Sequence, residues 1–140
     1  MSKYQEYRCE LKDRETILAA AEAAGLKCDV AASGKTLVME GWFGVDNQQR
    51  AEIVFRRATT GLRTDIGLKR DGDGWAWAGD HLVIEDKRQN TPRGVIGAIA
   101  MWSSALTAKA LVESQGNHMA LSLDPATGLV LGTYTAQVTL

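Results

Sequence analysis

The sequence is poor in the residues that build metal and disulfide sites, with two cysteines, two histidines and two prolines in 140 residues. Cys9 and Cys28 alone cannot supply a four-cysteine zinc site, nor the paired framework of a small secreted domain. We therefore expect two reduced thiols, no bound metal and no cofactor.

The chain also lacks an excess of charge of either sign. Sixteen basic and seventeen acidic residues leave a net charge of -1, which gives no global electrostatic argument for nucleic acid or an anionic membrane. The polar opening MSKYQEYRCELKD has no signal-peptide core, and the longest apolar run, GVIGAIAMW, is too short to span a bilayer. We expect a cytoplasmic protein that forms a single domain over residues 1–140, without a membrane partner.

The segment KRDGDGWAWAGDH combines a possible calcium loop with a possible turn. Asp71 and Asp73 alternate as calcium ligands do, but the residues that follow them offer no side-chain oxygen. Asp-Gly pairs are typical of tight hairpins, and the flanking residues alternate like strands. We predict a hairpin, with Trp75 and Trp77 on one face of its second strand.

Periodicity predicts the other elements of the N-terminal two-thirds of the chain. Asp13 is placed to cap a short amphipathic helix that ends at Gly25. Ile53 and Phe55 alternate with polar neighbours, as in a sheet with one covered face. Further strands are predicted in YQEYRCEL, LKCDVA, TLVMEGW, AEIVFRR and RTDIGLK, and HLVIED is either another strand or the tail of GWAWAG.

A long apolar helix and a hairpin complete the prediction. Thr91 and Pro92 are typical of a helix start, and the helix extends to Gly116 with apolar or small residues almost all round. Its outer side packs either within the core or against another subunit, so Pro92 to Gln115 is a candidate surface for homo-oligomer formation. With DPATG as a C-terminal hairpin turn, the chain is an α+β protein with a mostly antiparallel sheet, an N-terminal short helix and a central β-meander.

Fingerprints of nucleotide-binding and hydrolytic enzymes are missing from the sequence. ASGKTL ends like a phosphate-binding loop, but the first glycine of that motif would fall at Asp29. His81 has Asp80, Glu85 and Asp86 nearby, a pattern more typical of a solvated edge, with metal binding or acid-base chemistry as the alternative. We assign no catalytic residue.

Tryptophan and arginine residues supply the chemistry of recognition. Their interleaving is typical of a protein-binding surface or a base-stacking face, and the alternative is a tryptophan core with arginines at its rim. The candidate partner-binding residues are Trp42, Arg56, Arg57, Trp75, Trp77 and His81.

Three blocks carry a family resemblance: MSKYQEYRCELKDRETILAAAEAAGL, MEGWFGVDNQQRAEIVFRR and TDIGLKRDGDGWAWAGDHLVI. In this order they resemble the hypothetical chloroplast reading frame thirty-five family, small cyanobacterial, plastid, bacterial and phage proteins of unknown function. The resemblance covers roughly Met1 to Asp86. It implies a cytoplasmic accessory protein acting beside AAA-type ATPases, and it lends no catalytic residues.

The sequence leaves several functions open. The first is a non-enzymatic binding or adaptor protein that self-associates and acts on a protein partner, or a phage-encoded accessory or inhibitor protein that binds a host complex. The second is a nucleic-acid-binding module that uses the tryptophan and arginine strand face, against which the near-neutral charge counts. The third is a small enzyme with a site around Asp80, His81 and Glu85.

Overall fold

The computed structural model describes residues 4–11 and 13–136, which form an α+β structure with antiparallel sheets. The helices are α1 (Arg14–Ala23), α2 (Arg57–Thr60), α3 (His81–Ile84) and α4 (Val95–Ser114), with 3-10 turns at Trp42–Gly44 and Lys87–Asn90. The strands are β1 (Tyr4–Cys9), β2 (Asp29–Val30), β3 (Leu37–Glu40), β4 (Asp46–Ala51), β5 (Ile53–Phe55), β6 (Ile66–Asp71), β7 (Gly74–Asp80), β8 (His118–Leu123) and β9 (Val130–Thr135).

The central sheet has five antiparallel strands in the order β1-β7-β6-β5-β2. Strands β5, β6 and β7 form a meander, and β1 pairs with β7 at one edge. The predicted hairpin is confirmed, because Asp71 pairs with Gly74 across a turn in which Gly72 has a φ of 62°. This geometry places the tryptophan strand inside the sheet, between two neighbours.

Both faces of the central sheet are covered, where the sequence predicted one. The first face carries Phe55, Trp75 and Trp77 and packs against α1 and α4. The second carries Val54 and Ala78 and lies beneath the separate hairpin formed by β3 and β4. That prediction was wrong because short-range alternation cannot reveal a hairpin that folds back over a sheet.

Local signals position α1 as predicted. The Asp13 carboxylate accepts a hydrogen bond from the Thr16 amide at 2.8 Å, and Gly25 ends the segment with a φ of 72°. Ile17, Ala20 and Ala21 point into the core beneath this helix. The capped helix therefore lies against the sheet with its polar side outward.

The chain between β7 and α4 differs from its prediction. HLVIED is neither strand nor strand tail: it contains helix α3, which starts where the Asp80 carboxylate accepts a hydrogen bond from the Leu82 amide at 2.8 Å. Helix α4 begins at Val95, and not at Thr91 and Pro92 as predicted. At this start, Gln89 Oε1 accepts a hydrogen bond from the Val95 amide at 3.0 Å. A side-chain oxygen therefore accepts an amide hydrogen bond at the start of each helix.

Helix α4 is covered over only part of its length. Its buried residues end at Ser103, and the C-terminal half contacts the hairpin of β8 and β9. That hairpin is predicted correctly through Thr135, while its predicted end beyond Ala136 lies outside the described residues. The half of α4 nearest the hairpin keeps one side exposed.

Candidate protein-binding site

The most exposed aromatic residue in the described part of the chain lies at the turn between β3 and β4. This turn, which we name the aromatic tip, comprises Trp42, Phe43, Gly44 and Val45. The Phe43 residue is 90% exposed and Val45 is 65% exposed. Phe43 has a φ of 59°, a left-handed conformation that is rare for a bulky residue. The tip therefore presents apolar side chains on an unusual backbone.

Trp42 fixes the base of the aromatic tip. Its indole Nε1 donates a hydrogen bond to Asp80 Oδ2 at 2.6 Å, and Asp80 is completely buried. The Arg63 guanidinium lies 5.3 Å from the centre of the Trp42 ring, within the range of a cation-π contact. The Gly41 amide also donates to the Val45 carbonyl at 2.6 Å, which closes the turn. These contacts anchor the base of the tip and close its turn.

A buried carboxylate organises the chain below the tip. Asp65 is fully buried and accepts hydrogen bonds from the Glu40 amide at 2.9 Å, the Arg57 amide at 2.7 Å and Arg56 Nη1 at 2.8 Å. Arg56 also donates to Asp29 at 2.8 Å. Burial lowers the pKa of Arg56, but its hydrogen bonds to Asp29 and Asp65 outweigh burial and raise it. Arg56 is thus a structural cation that ties β2 and β5 to the start of β6.

Arg57 lies at the rim of the aromatic tip. Its Nε is 3.2 Å from Glu40 Oε2, and a Cβ atom at Gly44 would lie 2.8 Å from Arg57 Nη2. Gly44 therefore allows the guanidinium to approach the backbone of the tip closely. The Arg57 side chain remains one-third exposed, so a charged group borders the apolar surface.

The structure brings together four of the six residues that the sequence nominated for partner binding. Trp42 and His81 meet at Asp80, since His81 Nδ1 lies 3.9 Å from Asp80 Oδ1. Arg56 and Arg57 lie beside the same hairpin through their contacts with Asp65 and Glu40.

Trp75 and Trp77 are not part of this cluster. Both residues are buried in the core beneath α1 and α4. Arg70 lies 4.4 Å from the centre of the Trp75 ring and covers its outer end. In this arrangement Trp75 and Trp77 belong to the core and an arginine covers the rim, which is the alternative that the sequence left open.

Sequence reasoning missed Phe43 and Val45. The signal that could have found them is the run GWFGV, in which two glycines flank adjacent apolar residues in a turn. A turn places its side chains away from the sheet, so apolar residues there are less often covered by the rest of the chain.

A second surface feature is an open cleft of about 890 Å³ between β1, the start of α1 and α4. Ile17, Trp77 and Ile96 contribute apolar lining, and Ser103 Oγ is buried at its wall, where no described residue forms a hydrogen bond with it. Tyr7 donates its hydroxyl to Glu85 Oε1 at 2.8 Å. Burial and this carboxylate raise the pKa of Tyr7 to about 12, so the hydroxyl stays neutral in ordinary buffers.

Helix α4 carries much exposed apolar surface. The helical segment Lys87–Ser114 is long and apolar enough to cross a membrane by length and composition, a criterion that core helices of soluble proteins also meet. Only 22% of its most apolar window is buried, which is little for a core helix. The exposed part of α4 is therefore a candidate contact surface.

The described residues form no metal-binding cluster, and the comparisons with known proteins gave no match. Within residues 4–11 and 13–136, no group of three or more histidine, cysteine, aspartate or glutamate side chains is arranged to hold a metal ion. Comparison with protein-family models, curated proteins and solved structures found no match. The aromatic tip and the cleft are therefore the two candidate contact surfaces of the described residues.

Proposed function

We propose that the protein is a non-enzymatic cytoplasmic binding or adaptor protein that contacts a protein partner through the aromatic tip. The observation that carries this proposal is Phe43, which is 90% exposed and has a φ of 59°. We propose further that the chain self-associates through Pro92 to Gln115.

The free energy of folding gives no reason for a phenylalanine at position 43. A left-handed conformation costs a non-glycine residue about 1–2 kcal/mol. An exposed ring recovers little of this cost by burial in its own chain. Burial of such a ring by a partner would contribute about 1.5–3 kcal/mol to binding. The position therefore suits recognition better than stability.

The surroundings of Phe43 also support binding. Trp42 is held by Asp80, and Gly41 is bonded to Val45, so the tip needs little ordering when a partner docks. Preorganisation of this kind raises affinity because less conformational entropy is lost on association. Arg57 and Arg63 add charge at the rim, where polar contacts usually surround an apolar centre.

Site-specific photo-crosslinking in living cells tests the partner-binding proposal. A photoreactive amino acid replaces Phe43, and the matched control replaces Val38, which is an exposed apolar residue on the same hairpin with an ordinary backbone conformation. We expect one covalent protein adduct from position 43 and none from position 38. The adducted protein is then purified and titrated against the wild type and Phe43→Gly, for which we expect at least a tenfold weaker Kd.

Two results would contradict partner binding at the tip. One is an equal adduct yield at positions 43 and 38. The other is an unchanged Kd for Phe43→Gly against the purified partner. A nucleic-acid adduct in place of a protein would favour the alternative function named above.

Exposed side chains on α4 support self-association. Ala100, Ser104, Ala108 and Leu111 lie on one side of the helix, toward the cleft, and all four are exposed. Light scattering of the purified protein tests this part, and we expect the mass of a dimer. A monomer at all concentrations, or recovery with membranes, would count against it.

A further inference from the structure

We infer that two copies of this chain associate about a two-fold axis, by antiparallel pairing of their β1 strands. The α4 helices of the two copies then pack against each other over the paired β1 strands. This inference rests on the proposed self-association and specifies its geometry. The result is a continuous sheet of ten strands, formed from two five-stranded sheets.

Strand β1 forms an edge of the central sheet that is open to pairing. It pairs with β7 on one side, and no strand in the described ranges pairs with its other side. Five consecutive residues, numbers 7–11, line the cleft, so the cleft runs along this edge. Uncovered strand edges are templates for pairing with another chain.

The charges on β1 match those of a second copy in one register. Antiparallel pairing centred on Tyr7 places Glu6 of each copy opposite Arg8 of the other copy, so that two oppositely charged pairs form. A centre at Glu6 or at Arg8 would instead place like charges opposite each other. Opposite charges on facing residues stabilise antiparallel strands, and like charges destabilise them. The charges on β1 therefore favour a register centred on Tyr7 over registers centred on Glu6 or on Arg8.

Glu6 and Arg8 take part in ion pairs within their own chain and remain exposed. Glu6 Oε1 bonds Lys69 at 2.6 Å, and Arg8 Nη1 bonds Asp71 at 3.1 Å. Their side chains are nevertheless 51% and 61% exposed. Both side chains are therefore accessible to a residue of the second copy.

Helix α4 supplies the second layer of the interface. A two-fold axis at the β1 edge places the α4 helices of both copies on the same side of the joined sheet. The side of α4 that lines the cleft carries small residues: Ala100, Ser103, Ser104, Thr107 and Ala108. Small residues let two helix backbones approach closely. The second α4 would thus close the cleft and cover apolar surface that one chain leaves exposed.

Charge reversal on β1 tests the inference. Arg8→Glu leaves two acidic side chains on the edge, and Glu6→Arg leaves two basic ones. Each variant alone faces like charges in its own homodimer, whereas the two variants face opposite charges in a mixed dimer. The control is Lys35→Glu, a charge reversal at an exposed loop residue away from β1. Tags of different mass distinguish homodimers from mixed dimers by native mass spectrometry.

We expect dimers for the wild type and the Lys35→Glu control. Each β1 variant alone should have a dimer Kd at least about tenfold weaker. An equimolar mixture of the two should recover mixed dimers with a Kd near that of the wild type. Recovery in the mixture also shows that both variants are folded. In the wild type, hydrogen exchange of the β1 amides should slow as the protein concentration rises.

Other results would overturn the inference in distinguishable ways. Homodimers of both β1 variants with the wild-type Kd would exclude pairing at this edge and leave the proposed self-association in place. Failure of the mixture to form mixed dimers, with β1 hydrogen exchange independent of concentration, would do the same. A monomeric wild type would overturn the inference together with self-association, while the crosslinking test at Phe43 stays independent of both.

Discussion

Replacement of Phe43 by glycine should leave stability nearly unchanged, although the substitution removes a whole aromatic ring. Relief of the left-handed backbone gains about 1–2 kcal/mol. The greater conformational freedom of glycine in the unfolded chain lowers the free energy of unfolding by about 0.4–1 kcal/mol. The Phe43 and Trp42 ring centres are 6.5 Å apart, and loss of this contact lowers the free energy of unfolding by about 0.5–1.5 kcal/mol. We therefore expect a free energy of unfolding within about 1.5 kcal/mol of the wild type.

Urea denaturation followed by circular dichroism measures this difference. Phe55→Ala is the matched control, because Phe55 is completely buried and its removal should cost about 3–5 kcal/mol. A second variant, Phe43→Asn, avoids the entropy of glycine and tolerates a left-handed backbone, so it should be at least as stable as Phe43→Gly. If Phe43→Gly lost more than about 2 kcal/mol, the ring would have an intramolecular role and the reasoning for a binding residue would fail.

Three further substitutions test the site and the cleft. Trp42→Phe removes the indole that donates a hydrogen bond to buried Asp80. We expect urea denaturation to show a free energy of unfolding that is lower by about 1–3 kcal/mol. An unchanged free energy of unfolding would mean that this hydrogen bond does not anchor the tip. Asp65→Asn leaves the Arg56 guanidinium without its buried charge partner and should lower the thermal midpoint by more than Trp42→Phe does, which differential scanning calorimetry can measure. Tyr7 should ionise with a midpoint near pH 12 in an absorbance titration. Because its folded pKa lies above the unfolded value, the stability it contributes is complete below about pH 10 and is lost as the pH rises through about 12. Tyr7→Phe should remove that part of the alkaline loss, and a midpoint near 10 would contradict the combined effect of desolvation and the Glu85 carboxylate.

The aromatic tip and the β1 edge lie on different parts of the chain. The tip belongs to the β3 and β4 hairpin, and the edge belongs to the central sheet. A dimer formed through β1 would therefore carry two aromatic tips. Two tips in one assembly would raise the apparent affinity for any partner with repeated sites. This consequence can be checked by comparing partner binding of the wild type with that of Arg8→Glu.

Sequence alone determined the elements whose signals are short-range. The Asp-Gly turn at residues 71–74 and the Asp13 cap of α1 depend on backbone conformations and hydrogen bonds within a few residues. They can therefore be recognised from residues that are adjacent in the sequence. The α+β class follows from the same local patterns, summed along the chain. His81 to Ile84 illustrates the limit, since four apolar or aromatic residues suit a strand as well as a helix, and the Asp80 cap decided for the helix.

Only the tertiary structure decided which aromatic residues face solvent. Trp75 and Trp77 are as apolar as Trp42 and Phe43, yet the first two are buried in the core, whereas Trp42 is half-buried and Phe43 is exposed in the aromatic tip. Burial depends on which distant elements cover a residue, and the positions of α1, α4 and the β3 and β4 hairpin are set by long-range packing. The same holds for the open edge of β1, because strand order is a property of the assembled sheet and not of any one segment.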